Sequence, residues 1–212
     1  MTPSDTINRP RRGRPPAGEA GMAEARVLDA ATALFLEQGF GRTTLDQVSE
    51  RSRTGKSTLY GRFASKEVLF EAVVRRSIAA MFADVTEPDP TLPVRERVRA
   101  TGMALARALL ESRCVALMRI TAAEAGNFPE LATVGYRESF DGAARFVADA
   151  IAQEDDSFEN AMPAACRFVE LALQPMSFQA TFGAPSDELL ALADRDIDDA
   201  LSVIVARGLL KD

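Results

Sequence analysis

Apolar residues recur at intervals of three and four along most of the chain, which predicts an all-α protein of about nine helices. The first stripe, Val27, Ala31, Leu34 and Phe35, predicts a helix over residues 22–38. Gly39 is placed to take a left-handed position at its end, with Phe40 folding back on it. Thr44 and Gln47, three residues apart, form a capping box that opens a short helix with Val48 inward. Arg53-Thr54-Gly55 breaks that helix after about two turns. A second short helix then carries Lys56, Ser57, Thr58 and Tyr60, anchored by Leu59 and Phe63. Two short helices joined by a tight turn, the second with a polar and basic face, are the layout of a helix-turn-helix over residues 44–63.

Ser65 caps the next helix, whose stripe runs through Phe70, Val73, Val74, Ser77, Ile78, Met81 and Phe82. Pro88, Pro90 and Pro93 then punctuate the chain and place a boundary near residues 84–93. The expected division is an arm over 1–20, a helix-turn-helix domain over 21–81 and a further helical domain over 85–212. Five helices are expected in the last. One runs from Pro93 to about Ser112, and one carries Cys114, Leu117, Met118 and Thr121. One runs from Asn127 to about Gln153, weakened by Gly135 and Gly142. One runs from Pro163 to Phe182, kinked at Pro175. The last, capped by Ser186, aligns Leu190, Ala193, Ile197, Leu201 and Ile204. Glu154-Asp155-Asp156 marks a surface loop.

Charge sharpens this division. The net charge of −6 argues against a nucleic-acid binder when taken over the whole chain. Residues 1–66, however, hold 11 Lys+Arg against 7 Asp+Glu, a balance of +4, and the remainder holds 14 against 24, a balance of −10. A basic head on an acidic body fits DNA binding. The proline- and glycine-rich residues 1–20 carry too few large apolar side chains to order themselves. Within them Arg11-Arg12-Gly13-Arg14-Pro15 resembles the core of an AT-hook. Arg12 and Arg14 are placed either to enter a minor groove or to give general phosphate affinity.

Composition narrows the function. The 212 residues, 47% hydrophobic, suffice for one substantial core or two small ones. No run of eighteen apolar residues suggests a membrane span, and no apolar segment follows the basic N-terminus as in a secretory signal. Cys114 and Cys166 make no disulfide framework and read as small buried hydrophobes, so a cytoplasmic location is expected. With no histidine, a Ser-His-Asp triad and a histidine-bound metal are excluded. No phosphate loop or dinucleotide fingerprint appears, and Glu124 and Glu130 read as a helix end and a cap. Neither enzymatic activity nor a cofactor or metal is expected.

Ser57-Thr58-Leu59-Tyr60, Phe63 and Ser65-Lys66-Glu67-Val68-Leu69-Phe70 together resemble the signature of the TetR family of transcriptional repressors. So do Ala30-Ala31-Thr32-Ala33-Leu34-Phe35, Gly39-Phe40 and Thr43-Thr44. The resemblance covers residues 21–81. Glu124 to Leu131 resembles the Phe-Pro-Glu-Leu segment of one branch of the family's regulatory domains. The resemblance implies a homodimer on a palindromic operator, with recognition helices in successive major grooves about 34–36 Å apart. It implies DNA contacts from Lys56, Ser57, Thr58 and Tyr60, phosphate contacts from Thr44 and Lys66, and further candidates in Arg53 and Arg62. It also implies a pocket for a small, apolar inducer, with Phe82, Met103, Met118, Phe146 and Phe178 either lining it or filling the core. The last two helices would pair with their copies through Ala172, Ala193, Ile197, Leu201 and Ile204, or cover only their own core. Alternatives are an activator of the same fold and a helical interaction protein without specific DNA binding. Two departures stand out: the turn reads Ser52-Arg53-Thr54-Gly55, with Arg53 where relatives carry glycine and Thr54 where they carry an apolar plug.

Overall fold

The computed structural model describes residues 17–152 and 158–210. Arg12, Arg14 and the acidic stretch 154–156 lie outside the described residues. Among the described residues nine helical rods make up the fold: α1 (Ala17–Arg42), α2 (Leu45–Ser52), α3 (Lys56–Arg62), α4 (Lys66–Ala83), α5 (Val94–Leu109), α6 (Ser112–Ala123), α7 (Pro129–Ile151), a composite rod, and α10 (Ser186–Ala206). The composite rod is α8 (Phe158–Phe168), a π-helical stretch (Val169–Leu173) and α9 (Gln174–Thr181). No strand occurs among the described residues.

Two hydrophobic clusters organise these rods. In the head, Val27, Ala31, Leu34 and Phe35 of α1 meet Val48 of α2, Leu59 of α3 and Leu69, Phe70, Val73 and Val74 of α4. Gly39 has φ +80°, ends the regular part of α1, and lets Phe40 fold back. Phe40 then packs 5.8 Å from Phe35 and 5.0 Å from Phe70, ring centre to ring centre. The body cluster gathers α5, α7, the composite rod and α10 around Val98, Leu105, Val147, Phe168, Ile197 and Leu201. Helix α4 belongs to both, contributing Val74 to the head and Met81 to the body.

The body also reaches into the head. Leu117 of α6 is buried in the head cluster, and Ile120, Phe128 and Leu131 pack against it. Phe128 meets Phe40 edge-on at 5.0 Å. The Phe-Pro-Glu-Leu segment is therefore the clamp by which the α6–α7 turn holds the head.

Three helix expectations are revised. Gly135 and Gly142 do not interrupt α7, because each makes room for a neighbour. A Cβ at Gly142 would lie 2.2 Å from the Phe82 ring, and one at Gly135 would touch Val74 at 3.5 Å. The rod expected from Pro163 begins by Phe158, and Pro175 follows the π-helical turn. That wider turn absorbs the carbonyl–ring clash that a proline imposes on a regular helix. Pro185 rather than Ser186 caps α10, and Ser186 is its first residue.

Candidate nucleic-acid interface and ligand cavity

The helix-turn-helix is built from local rules. Thr44 accepts a hydrogen bond from the Gln47 amide at 3.3 Å, and the Gln47 side chain accepts one from the Thr44 amide at 2.9 Å, completing the capping box. The turn is closed by Ser49, whose buried hydroxyl donates to the Thr54 carbonyl at 2.7 Å. Thr54 is itself buried, in the place expected to lack its apolar plug. Arg53 takes the left-handed conformation, φ 53° and ψ 35°, and among the described residues no other non-glycine has positive φ.

Helix α3 buries only Leu59. Lys56, Ser57, Thr58, Tyr60, Gly61 and Arg62 all face solvent, so one face of this short helix is available for a groove. Lys56 pairs with Asp46 at 2.8 Å, and that hydrogen-bonded carboxylate raises the lysine above its ordinary range. Arg62 pairs with Glu24 of α1. Both pairs are exposed, and pairs of that kind contribute little to stability and yield readily to phosphate. Arg53 forms no ion pair with a described residue. Lys66 is placed differently from the other candidates. Its ammonium donates to the Phe40 carbonyl at 2.9 Å and sits 4.3 Å from the Phe40 ring centre, closing the corner after α1. Thr44 is exposed at the start of α2 while capping it.

Below the head lies a cavity of about 290 Å³ between α4, α6, α7 and the rod of α8 and α9. Its walls are mainly apolar: Ile78, Met81, Leu109, Leu117, Met118 and Phe140. At its edge Gln174 donates to the Tyr136 hydroxyl. Burial pushes the Cys114 thiol on the cavity wall up to about 11. Of the five residues expected here, only Met118 lines the cavity. Phe82 and Phe146 stack on each other at 5.4 Å against α7, and Met103 packs on the body core. Phe178 is 66% exposed on the outer surface. Ala132, Gly135, Ser139 and Ala143 put small residues at successive turns of α7 along the cavity wall.

Ala172, Ala193, Ile197, Leu201 and Ile204 are at most 1% exposed within the chain, as in the alternative that these stripes cover their own core. The outward faces instead carry Leu171, Phe178 and Phe182 on the composite rod and Leu192 and Val203 on α10. Phe178 and Phe182 lie 4.7 Å apart, ring centre to ring centre, and Phe182 is 76% exposed.

A helix-turn-helix head clamped to an all-helical body is the architecture of a class of bacterial transcriptional regulators. Residues 27–73 match the bacterial regulatory proteins of the tetR family, and residues 96–207 match the C-terminal domain of AefR-like transcriptional repressors. The chain belongs to the TetR family of transcriptional regulators. It is 34% identical to the regulator YhgD of Bacillus subtilis over 80 residues, which are 37% of this chain and 42% of that protein. It is 32% identical to the transcriptional activator FasR of Mycolicibacterium smegmatis over 76 residues, 35% of each chain. These curated relatives are thus matched over less than half of their length. Among solved structures, a regulator from Mesorhizobium loti superposes with a TM-score of 0.68 at 20% identity, covering 87% of this chain and 97% of that one. The flavonoid-responsive regulator FrrA gives 0.67 at 27% identity, covering 88% and 97%. Family members regulate transcription and are not enzymes. Among the described residues no helix is long and apolar enough to cross a membrane.

Proposed function

We propose that this protein is a cytoplasmic, ligand-responsive repressor that binds a palindromic operator as a homodimer and is released by a small, mainly apolar molecule. One observation carries the reading: Val74 and Leu117 belong at once to the cavity wall and to the core of the head. A guest that shifts either residue acts directly on the elements that orient α3. The coupling is a population shift, since a ligand that prefers one spacing of the recognition helices changes operator affinity by its difference in affinity for the two states. The flavonoid response of FrrA supports an effector of modest size and polarity. The exposed faces bearing Phe178 and Phe182 support self-association of the body.

The test is binding of the full-length protein to DNA immediately upstream of its coding region, at two salt concentrations. Tight, sequence-selective binding is expected, and a Lys56→Ala, Tyr60→Ala double variant should lose it while keeping the wild-type melting temperature. Equal binding to scrambled DNA that vanishes with modest salt would sink the operator reading. FasR, 32% identical over 76 residues, is an activator, so the sign of regulation is read from transcript levels in a deletion strain, where repression predicts a rise.

A further inference from the structure

A second opening lies beside the apolar cavity, between α4, α5 and α6. It measures about 670 Å³ and is lined by Arg76, Arg107 and Arg113 together with Asp84 and Glu111. Ser77, Met81 and Cys114 line both spaces, so the partition between them is one layer of side chains. Its middle is a sulfur contact, Cys114 Sγ to Met81 Sδ at 3.7 Å. A thioether on three rotatable bonds repacks at little cost, which makes this a soft wall of the cavity.

The cleft holds three arginines and two carboxylates, and two of the arginines have no close ion pair with a described residue. Arg76 is engaged with Asp29 and the Ala25 carbonyl of α1. Glu111 is committed to the start of α6, accepting hydrogen bonds from the amides of Arg113 and Cys114 at 2.9 and 3.1 Å and from the Ser112 hydroxyl at 3.0 Å. Arg107 and Arg113 make no ion pair with any described residue, and both are exposed. Asp84 is the remaining acidic group. Elsewhere on the cavity lining, Gln174 donates to the Tyr136 hydroxyl.

We infer that the ligand is an amphipathic organic monoanion whose apolar body fills the cavity and whose carboxylate passes the Met81–Cys114 partition to Arg107 and Arg113. This rests on the cavity being the ligand site. An apolar pocket supplies burial but little orientation, and a guanidinium pair at one end fixes which way the guest lies. The arginines sit on α5 and α6, so the carboxylate would also bridge the helix that carries Leu117 to the body.

Octanoate and its neutral near-isostere octanamide separate the two halves of this inference, with affinities measured by titration calorimetry on the full-length protein. Octanoate should bind roughly tenfold more tightly than octanamide, the effect of one charge-assisted contact pair. In an Arg107→Gln, Arg113→Gln variant the two should bind equally, at the octanamide level. Ala143→Phe, or Ser139→Phe if that variant does not fold, fills the cavity and should abolish binding of both. Equal binding to the wild type would overturn the anion site and leave the cavity reading standing. Octanoate binding that survives cavity filling would overturn the spanning arrangement. Binding of neither compound would overturn the inference together with the cavity reading for guests of this size.

Discussion

Head and body use their apolar residues in opposite ways. In the head, Phe35, Phe40 and Phe70 close on one another with ring centres 5.0–5.8 Å apart, and Leu34, Leu59, Phe63 and Leu69 of the signature are buried beside them. In the body, α7 presents small residues where a core would carry large ones, and about 290 Å³ stays open. The composite rod turns Phe168, Leu173 and Met176 inward but leaves Leu171 and Phe178 exposed, with Phe182 exposed just past its end. A reader of DNA has to hold one shape, and close packing supplies that. In the proposed reading the body gains contacts when a guest arrives, and incomplete packing allows that.

The comparison breaks most directly at the aromatic cluster. Phe70→Ala removes a fully buried ring from a site hemmed in by Phe35 and Phe40, and should destabilise the protein by about 3–5 kcal/mol. Urea unfolding measures it. A loss below about 1 kcal/mol would mean that the head collapses around the gap and is not the rigid unit described here.

A paired enlargement comes next. Ala31→Leu and Ala143→Leu add the same volume at two buried alanines, one in the closed head and one on the cavity wall. The first should cost about 1–3 kcal/mol by overpacking. The second should cost far less, because the added methyls enter open space. Similar losses at both positions would remove the contrast between the two regions.

Why the head was legible and the body only partly so follows from the same difference. Thr44 with Gln47, Gly39 before Phe40, and Ser65 before its helix are local devices, and each states its own geometry within four residues. Which face of the composite rod turns inward is not local. The rod offers phenylalanines on both faces: Phe168 is buried with Leu173 and Met176, while Phe178 stays outside. Periodicity finds the stripe in α10, yet the stripe with the best repeat is the one the protomer buries for itself. The cavity escaped for a related reason: an apolar pattern does not say whether the space in front of it is filled. Arg97, buried on α5 and donating to the Ala150 carbonyl at 2.9 Å, shows no pattern that would mark it as inward.

Phe128→Ala sharpens the boundary between the regions. The side chain is half-buried and belongs to the body by sequence, yet it packs on Phe40. Its loss should cost about 1–2 kcal/mol, less than for a fully buried ring. The informative readout is hydrogen exchange: amides of α2 and α3 should exchange faster, with α10 unchanged. Equal acceleration throughout would mean that head and body unfold as one unit, with no separable clamp.

The smallest expected effect tests whether the head is as free of strain as its packing suggests. Arg53 holds φ 53° and ψ 35° at the turn between α2 and α3. A residue with a Cβ in that region costs about 1–2 kcal/mol. Glycine removes that term but adds about 0.5–1 kcal/mol of backbone entropy to the unfolded chain. Arg53→Gly should therefore raise stability by about 0.5–1 kcal/mol, read as a higher melting temperature. The same change deletes an exposed cation beside the reading helix, so the plot of log affinity against log salt should lose about one unit of slope. Greater stability with weaker operator binding would place the strain at this turn in the service of DNA contact. Greater stability with unchanged binding would make Arg53 a tolerated substitution in a head that reads DNA through α3 alone.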